Sequence, residues 1–390
     1  ADSGFAEDGP ERISVDFSPE GPERPKAQEC KWELWEKRGT LKEEEFTRAE
    51  ALGLFDYLRK SHSKGFVVSL SGGADSAAVA CLTALMLRLA REELGEAALL
   101  EKLGAPVSGE TWTTEALLCT AYQATANSSQ TTRDAAREVA QALGASHLEF
   151  DVEQLAEGYR DMVAQAMGRP LSWERDDLAL QNIQARVRAP GVWMLANLKQ
   201  ALLLATSNRS EAAVGYATMD GDTCGGLSPI AGIDKAFLRR WLRWLERTGP
   251  LGLGPIPALK AVNRQAPTAE LRPADQGQTD EDDLMPYEIL DAIERAAIRD
   301  KRSPVEAWEW MRSSFPDQSA QQLGLWVQRF FRLWCRNQWK RERYAPSFHL
   351  DDENLDPKTW CRFPILSGGF EKELGELQTR LESVEGESDA

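Results

Sequence analysis

The sequence predicts an α/β fold built on a doubly wound, parallel β-sheet, with a helical extension towards the carboxyl end. Short, strongly apolar segments alternate along the chain with longer segments of helical periodicity. Such alternation is typical of βαβ units, in which helices join parallel strands. Polar stretches at residues 71–76 and 206–211 each follow an apolar segment. Open sheets of this kind bind ligands beyond the carboxyl ends of their strands, so these two stretches indicate the site.

The predicted elements follow in chain order, and 42% apolar residues in a chain of 390 support a sizeable core. Four segments have strand character: 65–70, 116–121, 147–150 and 201–206. Helical patterns cover residues 41–60, 77–87, 132–143, 181–188, the segment after Asp234, and much of 303–344. Gly144 directly after the third of these helices is a C-cap signal.

The turn Ser71-Gly72-Gly73-Ala74-Asp75-Ser76 after the first predicted strand is the most informative segment. A glycine turn between strand and helix gathers free backbone N–H groups at the positive end of a helix, which is an anion site. Asp75 in such a place suggests a metal ion between its carboxylate and a phosphate. No Gly-Lys-Ser/Thr follows, so this is not a Walker loop. The tripeptide recurs at 367–369 without the Asp-Ser and is predicted to be an ordinary turn there.

Composition narrows the class of protein. The formal net charge of −16 argues against binding a nucleic-acid backbone, although it is compatible with a small basic pocket for a nucleotide. No segment has the pattern of a membrane span or a secretory signal. Six scattered cysteines without metal spacing predict free thiols in a reducing cytoplasm, and three dispersed histidines do not suggest a zinc site.

A second polar cluster follows the fourth predicted strand. Glu211 lies where a second carboxylate could share a metal with Asp75. Simple helix capping explains this cluster taken alone. The continuation favours function, because a long glycine-rich, acidic loop at 215–230 follows, and long loops in compact domains are often functional. Asp234 then caps a helix that contains Lys235, whose ammonium could reach a phosphate.

Six motifs in order resemble the synthetase domain of the NAD synthetase family, over roughly residues 40–295. They are Ser-Gly-Gly-x-Asp-Ser at 71–76, Asn-Ile-Gln-Ala-Arg-x-Arg at 182–188, Asn-Arg-Ser-Glu at 208–211, Gly-Tyr-x-Thr at 215–218, Pro-Thr-Ala-Glu-Leu at 267–271 and Asp-Glu-x-x-Leu-x-x-Tyr at 280–287. Residues 345–370 resemble the end of the glutamine-dependent bacterial members. The resemblance implies the ATP pyrophosphatase superfamily and its Rossmann-like sheet of the adenine nucleotide alpha-hydrolase type.

The resemblance also implies a reaction. The carboxylate of deamido-NAD would attack the α-phosphate of ATP, giving an acyl adenylate and magnesium pyrophosphate, and ammonia would then displace AMP to leave NAD. The intermediate hydrolyses easily, so a lid is expected, and the 219–230 loop is the candidate.

Site residues are carried over from the family by position. Asp75, Lys235 and Thr206 would be catalytic, Asp75 and Glu211 would ligate Mg²⁺, and Arg186 would contact deamido-NAD. The residues expected to bind ATP are Ser69, Ser71, Gly72, Gly73, Asp75, Ser76, Thr206, Lys235 and Thr268. Two positions depart from the ammonia-dependent members: Met219 replaces a substrate-contacting lysine, and Gly226 replaces an acidic residue. Both departures resemble the glutamine-dependent branch.

The predicted organisation has four parts. Residues 1–40 form an arm or linker, 41–300 the nucleotide domain, 301–350 a Trp-rich helical extension and 351–390 a tail. The residues before Leu41 are too few and too polar to encode a glutaminase, so ammonia would be free or supplied by a domain or subunit outside this sequence. The basic residues Arg329, Arg332, Arg336, Lys340 and Arg343 recur at helical spacing. They predict a solvated face in preference to a phosphate-binding or acidic-partner surface.

The family usually forms homodimers, so a homodimer or higher homo-oligomer is expected, to which the helix after Gln181 or the basic face could contribute. Two alternatives stay open. The chain could be another ATP pyrophosphatase-type synthetase or amidotransferase, or an inactive nucleotide-binding subunit. The segment 267–291 argues against the first, and the combination of Asp75, Glu211 and Lys235 argues against the second.

Overall fold

A computed structural model describes residues 32–107, 109–266, 270–272, 280–365 and 368–388. The strands are β1 (Phe66–Ser69), β2 (Leu118–Ala124), β3 (Ser146–Asp151) and β4 (Leu202–Leu204). The helices are α1 (Leu41–Ser61), α2 (Ala74–Leu103), α3 (Thr114–Leu117), α4 (Gln130–Leu143), α5 (Glu153–Met167), α6 (Trp173–Arg186), α7 (Ala189–Lys199), α8 (Arg209–Val214), α9 (Lys235–Arg247), α10 (Leu259–Asn263), α11 (Asp280–Asp283), α12 (Tyr287–Glu294), α13 (Pro304–Ser314), α14 (Ala320–Arg336), α15 (Gln338–Arg341) and α16 (Glu371–Ser388). A 3₁₀ turn covers Trp35–Lys37, and a π-helical segment at Arg295–Arg299 follows α12.

The four strands form one parallel sheet in the order β3-β2-β1-β4. Phe66 of β1 is in register with Leu118 on one side and Leu202 on the other. The chain adds β2 and β3 on one side of β1 and then crosses to place β4 on the other side. The switch point of this doubly wound sheet therefore lies between β1 and β4, and the predicted fold class is confirmed.

Both faces of the sheet are covered, which explains why its strands are so apolar. Val67 and Leu203 point to one face and pack against α7 with Val192. Phe66 and Val68 point to the other face and pack in the main core with α1, α2, α4 and α9. The alternation follows from the two-residue period of a strand.

A second core lies in the carboxyl-terminal half and is mainly helical. It joins α12, α13 and α14 to Ala213 of α8 and to Leu377 and Leu381 of α16. This core includes Ala212, Ala213 and Val214 of α8 and extends from Leu284 to Leu381 of α16, so it draws on residues both before and after residue 300. Among the described residues, no helix has the length and apolar character needed to cross a bilayer.

Candidate active site

The glycine turn between β1 and α2 is held by its own hydrogen bonds. The backbone N–H of Ser71 donates to Ser76 Oγ over 3.1 Å, and the N–H of Gly73 donates to Ser71 Oγ over 3.3 Å. Gly72 has a φ of 83°, and a Cβ placed on it would lie 2.1 Å from the carbonyl oxygen of Thr132. Only glycine fits this position, and the result is a rigid turn at the amino end of α2.

A cleft of about 220 Å³ opens at the carboxyl ends of β1 and β4, at the switch point of the sheet. Most of the residues expected from the sequence line it: Ser69, Ser71, Gly73, Asp75, Ser76, Thr206, Glu211 and Lys235. Gly72 is not among the residues that line the cleft, but its backbone conformation shapes the turn. Ser69 Oγ accepts a hydrogen bond of 3.1 Å from Gln123 Nε2, which fixes that hydroxyl at the cleft wall.

The centre of the cleft is a lysine held between two carboxylates. The Lys235 ammonium forms ion pairs with Asp75 Oδ2 and, over 3.1 Å, with Glu211 Oε1. Asn208 Nδ2 donates to Asp75 Oδ1 over 3.0 Å, and Asn208 Oδ1 accepts the backbone N–H of Glu211 over 3.0 Å. The side chains predicted from two distant strand ends therefore converge on one cation position.

The electrostatics of this centre follow from burial and from mutual proximity. Burial raises the pKa of the Glu211 carboxyl to about 8, although the Lys235 ammonium beside it acts in the opposite direction. Lys235 is only 3% exposed, and burial by itself would lower the pKa of its ammonium. The nearby charges of Asp75 and Glu211 outweigh burial, so that pKa is raised and the lysine stays charged.

The amino end of α9, where Lys235 stands, is anchored by three side chains. The backbone N–H of Lys235 donates to Ser210 Oγ over 2.8 Å, and the N–H of Ala236 donates to Asp291 Oδ2 over 3.0 Å. Ser210 Oγ in turn donates to Asp291 Oδ1. Asp234 accepts the third N–H, that of Phe237, as the helix cap. The three amides at the start of α9 are thus satisfied by buried or half-buried groups, which fixes the lysine backbone.

Helix α12 contacts Lys235 in a second way. The ring of Tyr287 lies 5.5 Å from the Lys235 ammonium, a cation–π contact, and the Tyr287 hydroxyl donates to Asp280 Oδ2 over 3.3 Å. Tyr287 and Asp291 are four residues apart and so lie on one face of α12. One face of α12 therefore contacts the backbone at the start of α9 through Asp291 and the Lys235 ammonium through Tyr287.

Basic residues continue from Lys235 along the cleft. Arg239 and Arg243 follow on α9 at intervals of four, and both line the cleft. Burial lowers the pKa of Arg243, and its positively charged neighbours Arg239 and Arg247 add to the effect. This wall is locally positive in a chain of net charge −16, as a site for an anionic ligand requires.

Two predicted residues are not part of the described cleft. Arg186 is exposed at the end of α6, where its Nε donates to the carbonyl oxygen of Met219 over 3.0 Å. Arg188, two residues on, lines the cleft instead. Thr268 lies outside the described residues.

The 219–230 loop, expected to be a lid, is tied down in its second half. The N–H of Gly226 donates to Leu203 of β4 over 2.8 Å, and the N–H of Ser228 donates to Pro346 over 2.8 Å. In the first half, Asp220 and Asp222 are exposed. The Asp222 carboxylate accepts the N–H of Thr218 over 2.9 Å, and Asp220 forms an ion pair of 3.3 Å with Arg343. The exposed part of the loop is therefore its first half.

The basic face predicted after Arg329 is not one continuous helix. Helix α14 ends at Arg336 and the short α15 follows, so Lys340 turns inward and donates to the carbonyl oxygens of Gly215 and Ala217 over 2.7 and 2.9 Å. Arg332 and Arg336 are exposed, as the solvated interpretation expects.

Sequence reasoning missed four residues that shape the centre. They are Asn208, Asp280, Tyr287 and Asp291. Asp280 and Tyr287 lie in the motif at 280–287, for which the sequence indicates no specific role. Asp280 begins an acidic run and Tyr287 begins α12, and neither position indicates that both side chains face Lys235.

The carboxylate pair fits a divalent cation. Asp75 and Glu211 already converge on one positive charge, and Mg²⁺ commonly takes one or two carboxylates and completes its shell with phosphate oxygens and water. Within the described ranges, no group of three or more His, Cys, Asp or Glu side chains is arranged as a metal cage. A metal here would therefore need oxygens from a ligand.

Comparison with known proteins agrees with this geometry. A family model described as NAD synthase matches residues 47–342. The chain is 30% identical over 356 residues to the glutamine-dependent NAD(+) synthetase of Homo sapiens, covering 83% of this chain and 49% of that protein. It is 34% identical over 328 residues to the enzyme of the same description from Aquifex aeolicus, covering 84% and 49%. The chain thus spans about half the length of the curated relatives it matches.

Solved structures give the same result. A glutamine-dependent NAD(+) synthetase from Cytophaga hutchinsonii superposes with a TM-score of 0.76 at 47% identity, covering 86% of this chain and 56% of that one. An NMN synthetase from Francisella tularensis superposes with a TM-score of 0.51 at 20% identity, covering 75% and 95%, and shares the fold.

Proposed function

Because the chain belongs to the NAD synthase family, we propose that it forms NAD by the ATP-dependent amidation of deamido-NAD. The nicotinic acid carboxylate attacks the α-phosphorus of ATP, the bond from that phosphorus to the pyrophosphate oxygen breaks, and an acyl adenylate forms. Ammonia then attacks the acyl carbon, AMP leaves with the bonding electrons, and one proton is released as the amide forms. This is the activity of a carbon–nitrogen ligase.

One observation carries the proposal: the buried Lys235 ammonium, held by Asp75 and Glu211, stands beside the glycine turn at the switch point of the sheet. Adenylation needs positive charge where the leaving pyrophosphate gathers negative charge. Lys235 supplies one full charge there, and the backbone N–H groups at the start of α2 add their dipoles. Arg239 and Arg243 extend the positive wall towards solvent, which suits a polyphosphate.

Roles for the other site residues follow from the same proposed reaction. Asp75 and Glu211 would hold Mg²⁺, which when bound would neutralise phosphate charge and orient the leaving group. Lys235 and the hydroxyl of Thr206 act on the phosphates, together with Ser69, Ser71 and Ser76. Thr268 would add a contact to ATP.

Deamido-NAD is proposed to contact Arg186. The guanidinium of Arg186 uses its Nε for the Met219 carbonyl, and the described residues accept no hydrogen bond from its two terminal nitrogens. Those nitrogens form a fork suited to a phosphate or carboxylate. This exposed basic side chain thus supports an extended dinucleotide ligand.

We further propose a cytoplasmic enzyme that works as a homodimer and takes ammonia either free or from a glutaminase domain or subunit. The five cysteines in the described ranges are all free thiols, which supports a reducing compartment.

The dimer is proposed to form through an apolar face on α5, α6 and α7. That face exposes Leu155, Tyr159, Met162, Val163, Met167, Leu178, Trp193, Met194 and Leu198. A standard interface takes about 800 Å² from each partner, and nine large apolar side chains supply an area of that order.

The test is NAD formation from deamido-NAD, ATP and Mg²⁺, with ammonium in one arm and glutamine in the other. We expect product with ammonium, with one pyrophosphate released for each NAD. Lys235→Met is the matched inactive variant, since it removes the charge from a side chain of similar length. Pyrophosphate release with a different acceptor, and none with deamido-NAD, would reassign the chain to another ATP pyrophosphatase.

A further inference from the structure

Asp280 is a buried carboxylate at the cleft, and no described residue donates a hydrogen bond to its second oxygen. Its side chain is 6% exposed and lines the cleft. Asp280 Oδ2 accepts the Tyr287 hydroxyl over 3.3 Å, whereas Oδ1 is buried and receives no hydrogen bond from the described residues. None of them forms an ion pair with it either. A buried carboxylate oxygen without a donor is costly, so its retention at this point calls for a partner that arrives in another state.

Tyr287 links Asp280 to Lys235. Its ring lies 5.5 Å from the ammonium, and its hydroxyl donates to Asp280 Oδ2 over 3.3 Å. The charges of Asp75, Glu211 and Asp280 all act on this ammonium, and Asp75 and Glu211 hold it directly.

Asp75 and Glu211 cannot hold the ammonium and a divalent cation at one point. The two cations would repel each other strongly at contact distance inside a protein. The flexible four-carbon stem of lysine allows the ammonium to move without moving the backbone, which the contacts of Ser210 and Asp291 at α9 keep fixed.

We infer that Asp280 receives the Lys235 ammonium when Asp75 and Glu211 take the divalent cation, so that Lys235 occupies the metal position only while the site is empty. This inference rests on the proposed function. Asp280 is then a positioning residue: it acts through Lys235 and keeps the ammonium beside the phosphates and clear of the metal. Tyr287 provides the surface along which the ammonium moves.

The experiment measures Mn²⁺ binding to the full chain at pH 8 by electron paramagnetic resonance, with and without a non-hydrolysable ATP analogue. Four proteins are compared: wild type, Asp280→Asn, Lys235→Met and the double variant. Asp282→Asn is the matched control, because it removes one negative charge from an exposed position on the same helix. Asp280→Ser gives the same comparison if the asparagine variant does not fold.

We expect Lys235→Met to bind Mn²⁺ about tenfold more tightly than wild type without nucleotide, since no ammonium competes. With the analogue, Asp280→Asn should weaken Mn²⁺ binding about tenfold relative to Asp282→Asn. In the Lys235→Met background the Asp280 substitution should have no effect, since no ammonium is left to hold.

Two results would overturn the inference. The first is that Asp280→Asn behaves like the Asp282→Asn control. The second is that Asp280→Asn weakens Mn²⁺ binding equally with and without Lys235, which would mean that Asp280 acts on the metal directly, as a ligand or through its negative charge. Either result leaves the proposed function in place. A wild-type chain that binds no Mn²⁺ with the analogue would instead overturn the metal-dependent reaction itself.

Discussion

Asn208 and Asp75 are 133 positions apart in the chain and are joined by a hydrogen bond of 3.0 Å from Asn208 Nδ2 to Asp75 Oδ1. The loop after β4 and the loop after β1 are thereby fixed to each other across the switch point. Asn208 also accepts the N–H of Glu211, so one amide side chain sets the spacing of the two carboxylates. The position of the two carboxylates is thus fixed by contacts within the protein, as electrostatic preorganisation of the proposed site requires.

Asp75→Ala is expected to lower the rate of adenylation by at least about 10³-fold while the chain remains folded. The carboxylate serves the cation position, and its side chain is 19% exposed and belongs to neither apolar core. Pyrophosphate release measures the rate, and circular dichroism with thermal melting measures the fold. Asp317→Ala, in the exposed loop between α13 and α14, should change neither. An Asp75→Ala protein that melts early yet keeps the wild-type rate per folded molecule would contradict the role.

Gly72→Ala should disrupt the glycine turn between β1 and α2. The added Cβ would meet the Thr132 carbonyl at 2.1 Å, and the φ of 83° is strained for alanine. We expect a loss of stability of about 1–3 kcal/mol, measured by urea unfolding, together with weaker ATP binding by calorimetry. Gly158→Ala is the contrast, because Gly158 lies within α5 with open space around it. That variant should gain up to about 1 kcal/mol. Equal behaviour of the two variants would show that the turn tolerates a side chain.

Asp291 is expected to control the rate through the position of Lys235. Asp291→Leu removes the acceptor of the Ala236 N–H and that of the Ser210 hydroxyl, and it should lower kcat by about 10–100-fold with little change in KM for ATP. Asp291→Asn keeps one acceptor for Ala236 and should restore most of the rate. Ser303→Ala removes a helix cap of α13 and should cost about 1 kcal/mol of stability at unchanged kcat. A leucine variant with wild-type kcat would rule out a positioning role.

The sequence predicted the residues that stand next to a strand end and did not predict those that arrive from elsewhere. Asp75 and Glu211 were assigned because each follows a strand by a few residues, and parallel strands bring their carboxyl ends together. Lys235 was assigned by family resemblance and by the cap that precedes it. Local spacing therefore contains the information that brings the two carboxylates together, whereas the role of the lysine also rests on the resemblance.

Asp280 and Asp291 reach Lys235 only through the packing of the second core. Their helices α11 and α12 lie 45 or more positions further along the chain, and the orientation of α12 depends on contacts with α8, α13 and α14. Nothing in the local pattern of an acidic segment states which carboxylate is buried. The break between α14 and α15 that turns Lys340 inward could not be predicted either. The spacing of Lys340 from the preceding basic residues continues the helical period, so the sequence gives no sign of the break.

Glu294 should make the stability of the chain depend on pH. Burial raises the pKa of its carboxyl to about 8, although Arg209 lies 2.8 Å away and acts in the opposite direction. The unfolded chain releases this proton near pH 4.5. The proton held by the folded state therefore stabilises it fully below that pH, and this contribution is lost as the pH rises through 8.

The free energy of unfolding, measured in urea between pH 5 and 8, should fall less steeply for Glu294→Gln than for wild type. The difference in slope should be at most about 1.4 kcal/mol per pH unit, the value for one proton. Glu115→Gln, an exposed glutamate of α3, should leave the wild-type slope unchanged. A Glu294→Gln protein with the wild-type slope would show that Glu294 is ionised throughout this range.

The apolar face on α5, α6 and α7 predicts the oligomeric state. Met162 is 64% exposed and Leu198 is 77% exposed, and nothing in the described chain covers them. A double substitution to aspartate places two charges at positions that a dimer would bury, each of which costs several kcal/mol without a partner. Sedimentation should therefore show a dimer for wild type and a monomer for the double variant. Leu52→Asp, on the exposed side of α1, is the control with the same chemistry away from this face and should remain dimeric. A wild-type chain that is monomeric and fully active would refute the proposed dimer, because the apolar face would then have no role in assembling the site.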